Sequence, residues 1–415
     1  MIDEAPRLAD AGWLTGGALA RLLDVLDCNG EEARAVGGAV RNALIGQPVG
    51  EIDVATTALP HEVVARAERA RFRAVPTGID HGTVTLLVDG TPFEVTTLRE
   101  DVETYGRKAK VAFGRDWRKD AERRDFTINA LSVSRGGVVH DYVGGLADLR
   151  ERRVRFIGDA ASRIAEDYLR ILRFFRFHAA YGEGPPDRAA LAACIAGRDG
   201  VETLSRERVR AELLKLLAAR GVVEAVSLMA DTGLLMQILG GVPQLASLAA
   251  MTELELGLDL VPDPVRRLGA LALFVREDAE RLLQRLRLAN AEHARLESMS
   301  AGWWRLTPET PAPEARALLY RLGADRFVDR VLLAGSRTPD PADDRRWLDL
   351  ATLPKRWSAP LFPISASDLM SRGIAKGPGL GTALRAAEAA WIAADFPADA
   401  AAVTAIADAA AESKA

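Results

Sequence analysis

VGGAVRNALIGQPVGEIDVATTALPHEVV, residues 36–64, decides how the chain is read. Residues 33–36 (ARAV) have strand character, and Gly37-Gly38 breaks the chain directly after them. AVRNALIG (39–46) has helical spacing and stops at Gly46. EIDVAT (51–56) alternates as a strand, and Pro60 opens a helix running to about Arg71. On a strand, residues i and i+2 project from one face, so Glu51 and Asp53 are expected side by side, with Ile52 pointing into a core. Two like charges at that spacing repel, which favours a cation between them. Paired oxygen ligands suit Mg²⁺, which takes one or two protein carboxylates and fills its shell with water and phosphate. The glycines upstream let the backbone approach a ligand, and a helix N-terminus offers N–H groups to phosphate. Arg41, in the first turn of that helix, adds a charge-assisted donor.

Working outward, TVTLLV (83–88) and FEVTTL (93–98) flank Asp89-Gly90, a hairpin signal. Glu94 alternates with Phe93 and Val95. It supplies a third carboxylate on a neighbouring strand, as proton acceptor or metal ligand, or else stands as an exposed hairpin charge. The polar stretch REDVETYGRKAKVAFG (99–114) mixes charges with weak periodicity and reads as a mobile loop. FTINALSV (126–133) is apolar-spaced, with Phe126 and Ile128 expected in the core, and GVVHDYV (137–143) is the last strand candidate. Residues 12–27 read as an amphipathic helix. From about Gly145 the texture is helical to the end, punctuated by GEGPPD (182–187), TPETPAPE (307–314) and SRTPDPADD (336–344). The layout is a mixed α+β head followed by a longer, mostly helical region, with no fixed-period repeat.

The 415 residues, 48% hydrophobic and 27% charged, exclude a largely disordered chain and suit several domains. No apolar run reaches about 18 residues, so no membrane span is expected. The start, MIDEAPRLADAG, is acidic and unlike a secretion signal. Cys28 and Cys194 are too few for a disulfide framework or a Cys-based zinc site, and the five histidines lack metal-binding spacing. The reducing cytoplasm is the expected compartment. A net charge of −4 excludes a uniformly basic coat. Charge is nonetheless uneven: residues 99–124 hold nine Lys/Arg against six Asp/Glu, and residues 150–176 carry eight arginines. Such local basicity serves a phosphate-bearing partner or a solvated helix face.

Several motifs occur in a fixed order. The stretch 36–64 resembles the signature of the polymerase β-like nucleotidyltransferase superfamily. More narrowly, it is similar to the bacterial-type class II tRNA nucleotidyltransferases and the related bacterial poly(A) polymerases. RRDFTINAL (123–131) is similar to that family's ribose-recognition motif, DYVGGLADL (141–149) to the segment joining head to neck, EDYLRILRFFRF (166–177) to its base-recognition helix, and SRERVRAELLKLL (205–217) to its neck helices. The resemblance implies a mixed-sheet head over 1–145, a helical neck over 146–220, a body over 221–335 and a tail over 336–415. It implies a Mg²⁺-dependent enzyme that adds CCA to tRNA 3′ ends from CTP and ATP. The oligomeric state stays open.

The implied roles follow the motifs. Glu51 and Asp53 hold the metal and, with Glu94, form the catalytic set. Gly37, Gly38, Arg41 and Arg124 face phosphates, and Asp125 and Asn129, spaced i, i+4, face the sugar. Asp167 and Arg170, expected on one helix with Arg173 and Arg176, read the base. A carboxylate accepts from the exocyclic amine of cytosine or adenine, whereas uracil and guanine present a carbonyl there. Arg173 and Arg176 lie near the base or phosphates, and the 99–114 loop is a lever or an ordinary exposed loop. In the tail, Ser367 is expected to cap a short helix. Lys376 and Gly377, before a G-x-G-x-G helix start, hold an RNA phosphate or form a plain helix–helix turn. GIDHGTVTL (78–86) looks more like the CCA-adding version than the poly(A) one. Trp303-Trp304 reads as core. Two departures stand out: the family usually has Asp where this chain has Glu51 and Asn42. Three other functions remain open: a poly(A) polymerase, an A-only adding enzyme, and a non-catalytic RNA-binding protein on the same scaffold.

Overall fold

The computed structural model describes residues 7–79, 82–105, 108–342 and 344–412. The histidine at 81 and the middle of the 78–86 stretch therefore lie outside the described residues. The chain forms two compact units, Met1–Leu234 and Leu235–Ala415.

The first unit is built on strands β1 (Ala33–Val36), β2 (Asp53–Thr56), β3 (Arg73–Gly78), β4 (Thr83–Val88), β5 (Thr91–Thr97), β6 (Arg99–Tyr105), β7 (Lys108–Phe113), β8 (Ser132–Ser134) and β9 (Val139–His140). Seven of them form one sheet in the order β3-β4-β5-β2-β1-β8-β9. The strand β4 buries Val84, Leu86 and Val88 on one face, the alternation its sequence carries. Asp89 and Gly90 both take positive φ, which matches the right-handed twist of the hairpin they close. The pairing of β2 with β5 is parallel, and it sets Asp53 directly beside Glu94.

Four expectations need correction here. First, β2 begins at Asp53, so Glu51 lies in the bend before the strand and Ile52 is only half-buried. The ladder with β1 ends at Val36–Asp53 because Gly37 (φ 73°) turns the chain away, leaving residues 51–52 without a partner strand. Second, 99–114 is not a loop: β6 and β7 pair as a separate antiparallel ribbon, with residues 106–107 outside the described residues. Third, the 12–27 helix is split at Gly16 into Gly12–Thr15 and Gly17–Leu26. Fourth, the 166–177 helix is broken. One helix ends at Glu166, Asp167 is extended (φ −156°, ψ 106°), and a second helix runs from Leu169 to Tyr181. Asp167 starts that second helix: its Oδ1 accepts from Leu169 N–H (3.1 Å) and its carbonyl from Arg170 N–H (3.0 Å). Aspartate competes with helical backbone in this way and so favours a helix start over a helix interior.

The helix Leu169–Tyr181 is anchored by aromatic rings. Phe126, fully buried as expected along with Ile128, packs 4.7 Å from Phe156 and 5.2 Å from Phe177, centroid to centroid. Phe156 stacks on Phe174 at 5.9 Å. This cluster ties the 123–131 segment to the arginine-bearing helix and fixes one against the other.

The second unit is helical among its described residues. Its centre is a buried ionic network, in which Asp329 joins Arg266 (2.9 Å) and Arg295 (2.5 Å) while Glu255 joins Arg266 (3.1 Å) and Arg267 (2.7 Å). A smaller apolar core of Ile364, Leu369, Leu380, Ala383, Ala387, Ala407 and Ala410 holds the final helices together. The Ala-rich end forms the helix Ala400–Glu412, as expected. Three expectations change in this unit. Ser365, not Ser367, caps the helix Ala366–Ser371, in a box with Asp368. The helix Pro378–Ala393 starts directly after Gly377, so Gly379 and Gly381 lie inside its first turn. Trp304 is 57% exposed rather than core.

Candidate active site

One pocket of about 730 Å³ in the first unit gathers the head and neck candidates. Glu51, Asp53, Glu94, Gly37, Gly38, Arg41, Arg124, Asp125, Asn129, Asp167, Arg170, Arg173 and Arg176 all line it. Lys376 and Gly377 belong to the second unit and stand exposed.

One wall is acidic. Asp53 and Glu94 are register partners on neighbouring strands, and Glu51, in the bend before β2, lines the same pocket. None of the three makes an ion pair with a described residue. Burial among the pocket walls raises the Asp53 pKa, and the charges of Glu94 and Glu51 add to it while Arg124 opposes them. Unneutralised carboxylates crowded in this way are the donor set a divalent cation compensates. Among the described residues no group of three or more His, Cys, Asp or Glu is placed to hold a metal ion. A pair of carboxylates is what Mg²⁺ takes from a protein when water and phosphate complete its shell.

The opposite wall is basic and internally braced. Asp120, only 3% exposed, holds Arg123 (2.7 Å) and Arg124 (3.4 Å) at the rim. Asp125 Oδ2 accepts from Arg173 Nε (2.6 Å) and its Oδ1 from Asn129 Nδ2 (3.3 Å). Burial pushes the Asp125 carboxyl up. The Arg173 charge and hydrogen bond, with donation from Asn129 and the Phe126 N–H, overcome this and hold it below the ordinary value. Arg176 is tied to Glu212 (2.6 Å) and lies over the Phe177 ring at 4.2 Å.

Arg41 departs from the simple phosphate-donor picture. It is 6% exposed, and its guanidinium donates to Asn42 Oδ1 (3.2 and 2.9 Å), to the Tyr181 hydroxyl (2.6 Å) and to Asn129 Oδ1. Of five N–H donors, one on Nη1 is left for a ligand. Asn42 keeps a two-pronged grip on Arg41 without a charge, and its Nδ2 also donates to the Pro48 carbonyl (3.1 Å).

The two residues expected to read the base, Asp167 and Arg170, are engaged with other partners. Asp167 Oδ2 meets Arg208 Nη2 at 2.6 Å, while Arg170 donates to Glu166 and to the Arg163 carbonyl (2.6 Å). Arg208, Asp120, Glu212 and Tyr181 were not singled out in the sequence. The first sits in the quoted SRERVRAELLKLL segment, but alternating arginines on an amphipathic helix do not say which one turns toward a site.

A mixed sheet carrying three acids and an arginine-bearing helix, lining one pocket of nucleotide size, define a nucleotidyltransferase. Comparison with known proteins narrows the class. A family described as "Poly A polymerase head domain" matches residues 33–155, and one described as "Probable RNA and SrmB- binding site of polymerase A" matches 187–248. The CCA tRNA nucleotidyltransferase 1, mitochondrial, of Danio rerio is 33% identical over 399 residues, covering 90% of this chain and 86% of the relative. The CCA-adding enzyme of Limosilactobacillus fermentum is 31% identical, covering 88% and 89%. The solved Bacillus stearothermophilus CCA-adding enzyme in complex with CTP superposes with a TM-score of 0.73 at 25% identity, covering 96% of this chain and 98% of its own. The chain belongs to the CCA-adding tRNA nucleotidyltransferase family. Nucleotidyltransferases of this family generally use a divalent metal. Among the described residues no helix is long and apolar enough to cross a membrane.

Proposed function

We propose that this protein adds C, C and A in turn to the 3′ end of tRNA, using CTP and ATP and no nucleic-acid template. The observation that carries this reading is a single pocket holding unneutralised Glu51, Asp53 and Glu94 together with Asp167 and Arg170. Glu51 and Asp53 would hold the divalent ion, Mg²⁺ in this reading. When bound, it lowers the pKa of the RNA 3′-hydroxyl and offsets charge on the α-phosphate and the leaving pyrophosphate. Glu94, paired directly with Asp53 in register, takes up the hydroxyl proton or completes the ligand set. Arg124, Gly37, Gly38 and the remaining Arg41 donor face the triphosphate, and Arg173 and Arg176 back the base and phosphates. Asp125 and Asn129 read the ribose.

Base choice then needs an exchange of partners. Asp167 leaves Arg208 to accept from an exocyclic amine, and Arg170 leaves Glu166 to donate to the ring acceptors beside it. Cytosine and adenine satisfy both groups; uracil and guanine place a carbonyl against Asp167, leaving buried polar atoms unpaired. The β6–β7 ribbon serves as the lever between C and A addition. The finer division into head (1–145), neck (146–220), body (221–335) and tail (336–415) belongs to this reading. So do an RNA phosphate contact at Lys376 and Gly377 and action in the cytoplasm, where the free Cys28 and Cys194 stay reduced.

The test is extension of a tRNA lacking its CCA end with each nucleotide separately, with and without Mg²⁺. The expected result is CTP incorporation that stops after two residues, ATP incorporation only after CC, and none without the ion. The match to a poly(A) polymerase head favours one second reading, polyadenylation. Unlimited ATP addition without CTP use would establish it. ATP addition confined to CC-ended tRNA would establish an A-only enzyme.

A further inference from the structure

Tyr181, the last residue of the helix Leu169–Tyr181, carries no role in the reading above, yet it closes a circuit under the pocket floor. Its hydroxyl accepts from Arg41 Nη2 at 2.6 Å, and the Arg41 guanidinium carbon lies 3.8 Å over its ring. The ring is held in turn by Phe177, stacked at 5.7 Å. Arg41 then donates to Asn129 Oδ1, while Asn129 Nδ2 donates to Asp125 Oδ1 at 3.3 Å. A reversed Asn129 amide would aim its NH₂ at a guanidinium and its carbonyl at a carboxylate, so its orientation is fixed from both sides. Asp125 is anchored by Arg173 at 2.6 Å, and Arg41 by Tyr181 on one side and Asn42 on the other.

With two of its hydrogen-bonding sites engaged, Asn129 retains one N–H and one carbonyl lone pair for a ligand. A sugar hydroxyl, both donor and acceptor, is matched by that pair. We propose that Tyr181 is a positioning residue for sugar recognition: by anchoring Arg41 it holds the Asn129 amide in the orientation that reads the ribose 2′-hydroxyl. This rests on the proposed nucleotide site and adds to it a residue at the far end of the base-reading helix. Without the Tyr181 hydroxyl, Arg41 keeps only its Asn42 contacts at Nε and Nη2; its Nη1 is then less firmly aimed, and the Asn129 amide rotates between two poses.

The experiment compares Tyr181→Phe with the parent chain. The substitution keeps the ring stacked and removes only the acceptor. The measurement is kcat/KM for CTP and for 2′-deoxy-CTP on the same CCA-less tRNA, paired with equilibrium binding of both nucleotides. The preference for CTP is expected to fall about tenfold, the scale of one lost charge-assisted hydrogen bond. The loss falls on CTP, while dCTP is used as before. Tyr181→Leu, lacking the ring as well, reduces the preference further. If Tyr181→Phe slows both nucleotides equally, or changes neither, the proposal is overturned. If the variant melts early, the binding ratio measured below its melting point decides in the same way. A parent chain that binds CTP and dCTP alike would instead defeat the sugar-reading assignment of Asn129 itself.

Discussion

Two clusters of charge, one in each unit, are built from the same residue types and treat them oppositely. In the second unit, Asp329 and Glu255 are 0% and 1% exposed, and each is matched to arginines. Asp263 is likewise paired with Arg295 (2.8 Å). In the first unit, Asp125, Asp120 and Glu212 are braced by arginines in the same manner. Glu51, Asp53 and Glu94 are left against one another, although arginines line the same pocket. A fold that pairs its buried acids with arginines and leaves these three together on one pocket wall keeps charge available for a ligand. Paired acids hold structure together, and the unpaired ones are where chemistry is sought.

Substitutions break this comparison in opposite directions. Asp53→Ala is expected to lower nucleotide addition by at least about a thousandfold, because both substrate alignment and charge compensation pass through that wall. Extension assays with CCA-less tRNA measure it, and activity within tenfold of the parent would remove Asp53 from the chemistry. Asp329→Asn should leave Arg266 and Arg295 short of a buried counter-charge and cost about 3–5 kcal/mol of stability. Denaturant melts of the second unit's transition read that loss, and an unchanged midpoint would show the network to be dispensable.

Acid sharpens the contrast. The Asp125 carboxyl sits below its unfolded value of 3.8, so the unfolded chain takes up this proton first. Its stabilising contribution is complete above about pH 4 and is lost as the pH falls through the folded value. Melting temperature should therefore drop below about pH 4 less steeply in Asp125→Asn than in the parent. Parallel slopes would contradict the bracing by Arg173. The smallest effect carries the opposite sign. Without a divalent ion, Asp53→Asn removes one of three mutually repelling charges and is expected to raise the melting temperature by about 1–3 °C. A drop would mean that Asp53 has a stabilising partner.

Much of the head was legible because local rules and tertiary structure agree there. Strand β1, the turn at Asp89-Gly90 and the buried Phe126 and Ile128 each follow from period or turn chemistry alone. Motif order picked thirteen head and neck candidates that the structure brings to one pocket. What escaped depends on partners distant in sequence. Glu51 falls outside β2 because β1 runs out at Gly37, which no local pattern near Glu51 records. The β6–β7 ribbon has a polar sequence, so its pairing leaves no apolar alternation to find. Asp167 breaks its helix by capping the next one. Arg208 is chosen by the position of Asp167, 41 residues away in sequence. Ser365 was a missed local signal, because Ser-x-x-Asp at 365–368 spells a capping box and Ser367 lacks one.

The most direct test of the central claim is a crystal of the protein with CTP and Mn²⁺ in place of Mg²⁺, with anomalous scattering used to locate the ion. The account predicts a peak shared by Glu51 and Asp53, contacting the triphosphate, with the cytosine amine turned toward Asp167. A bound CTP whose ion lies away from Asp53 and Glu51, with the two side chains diverging, would contradict it.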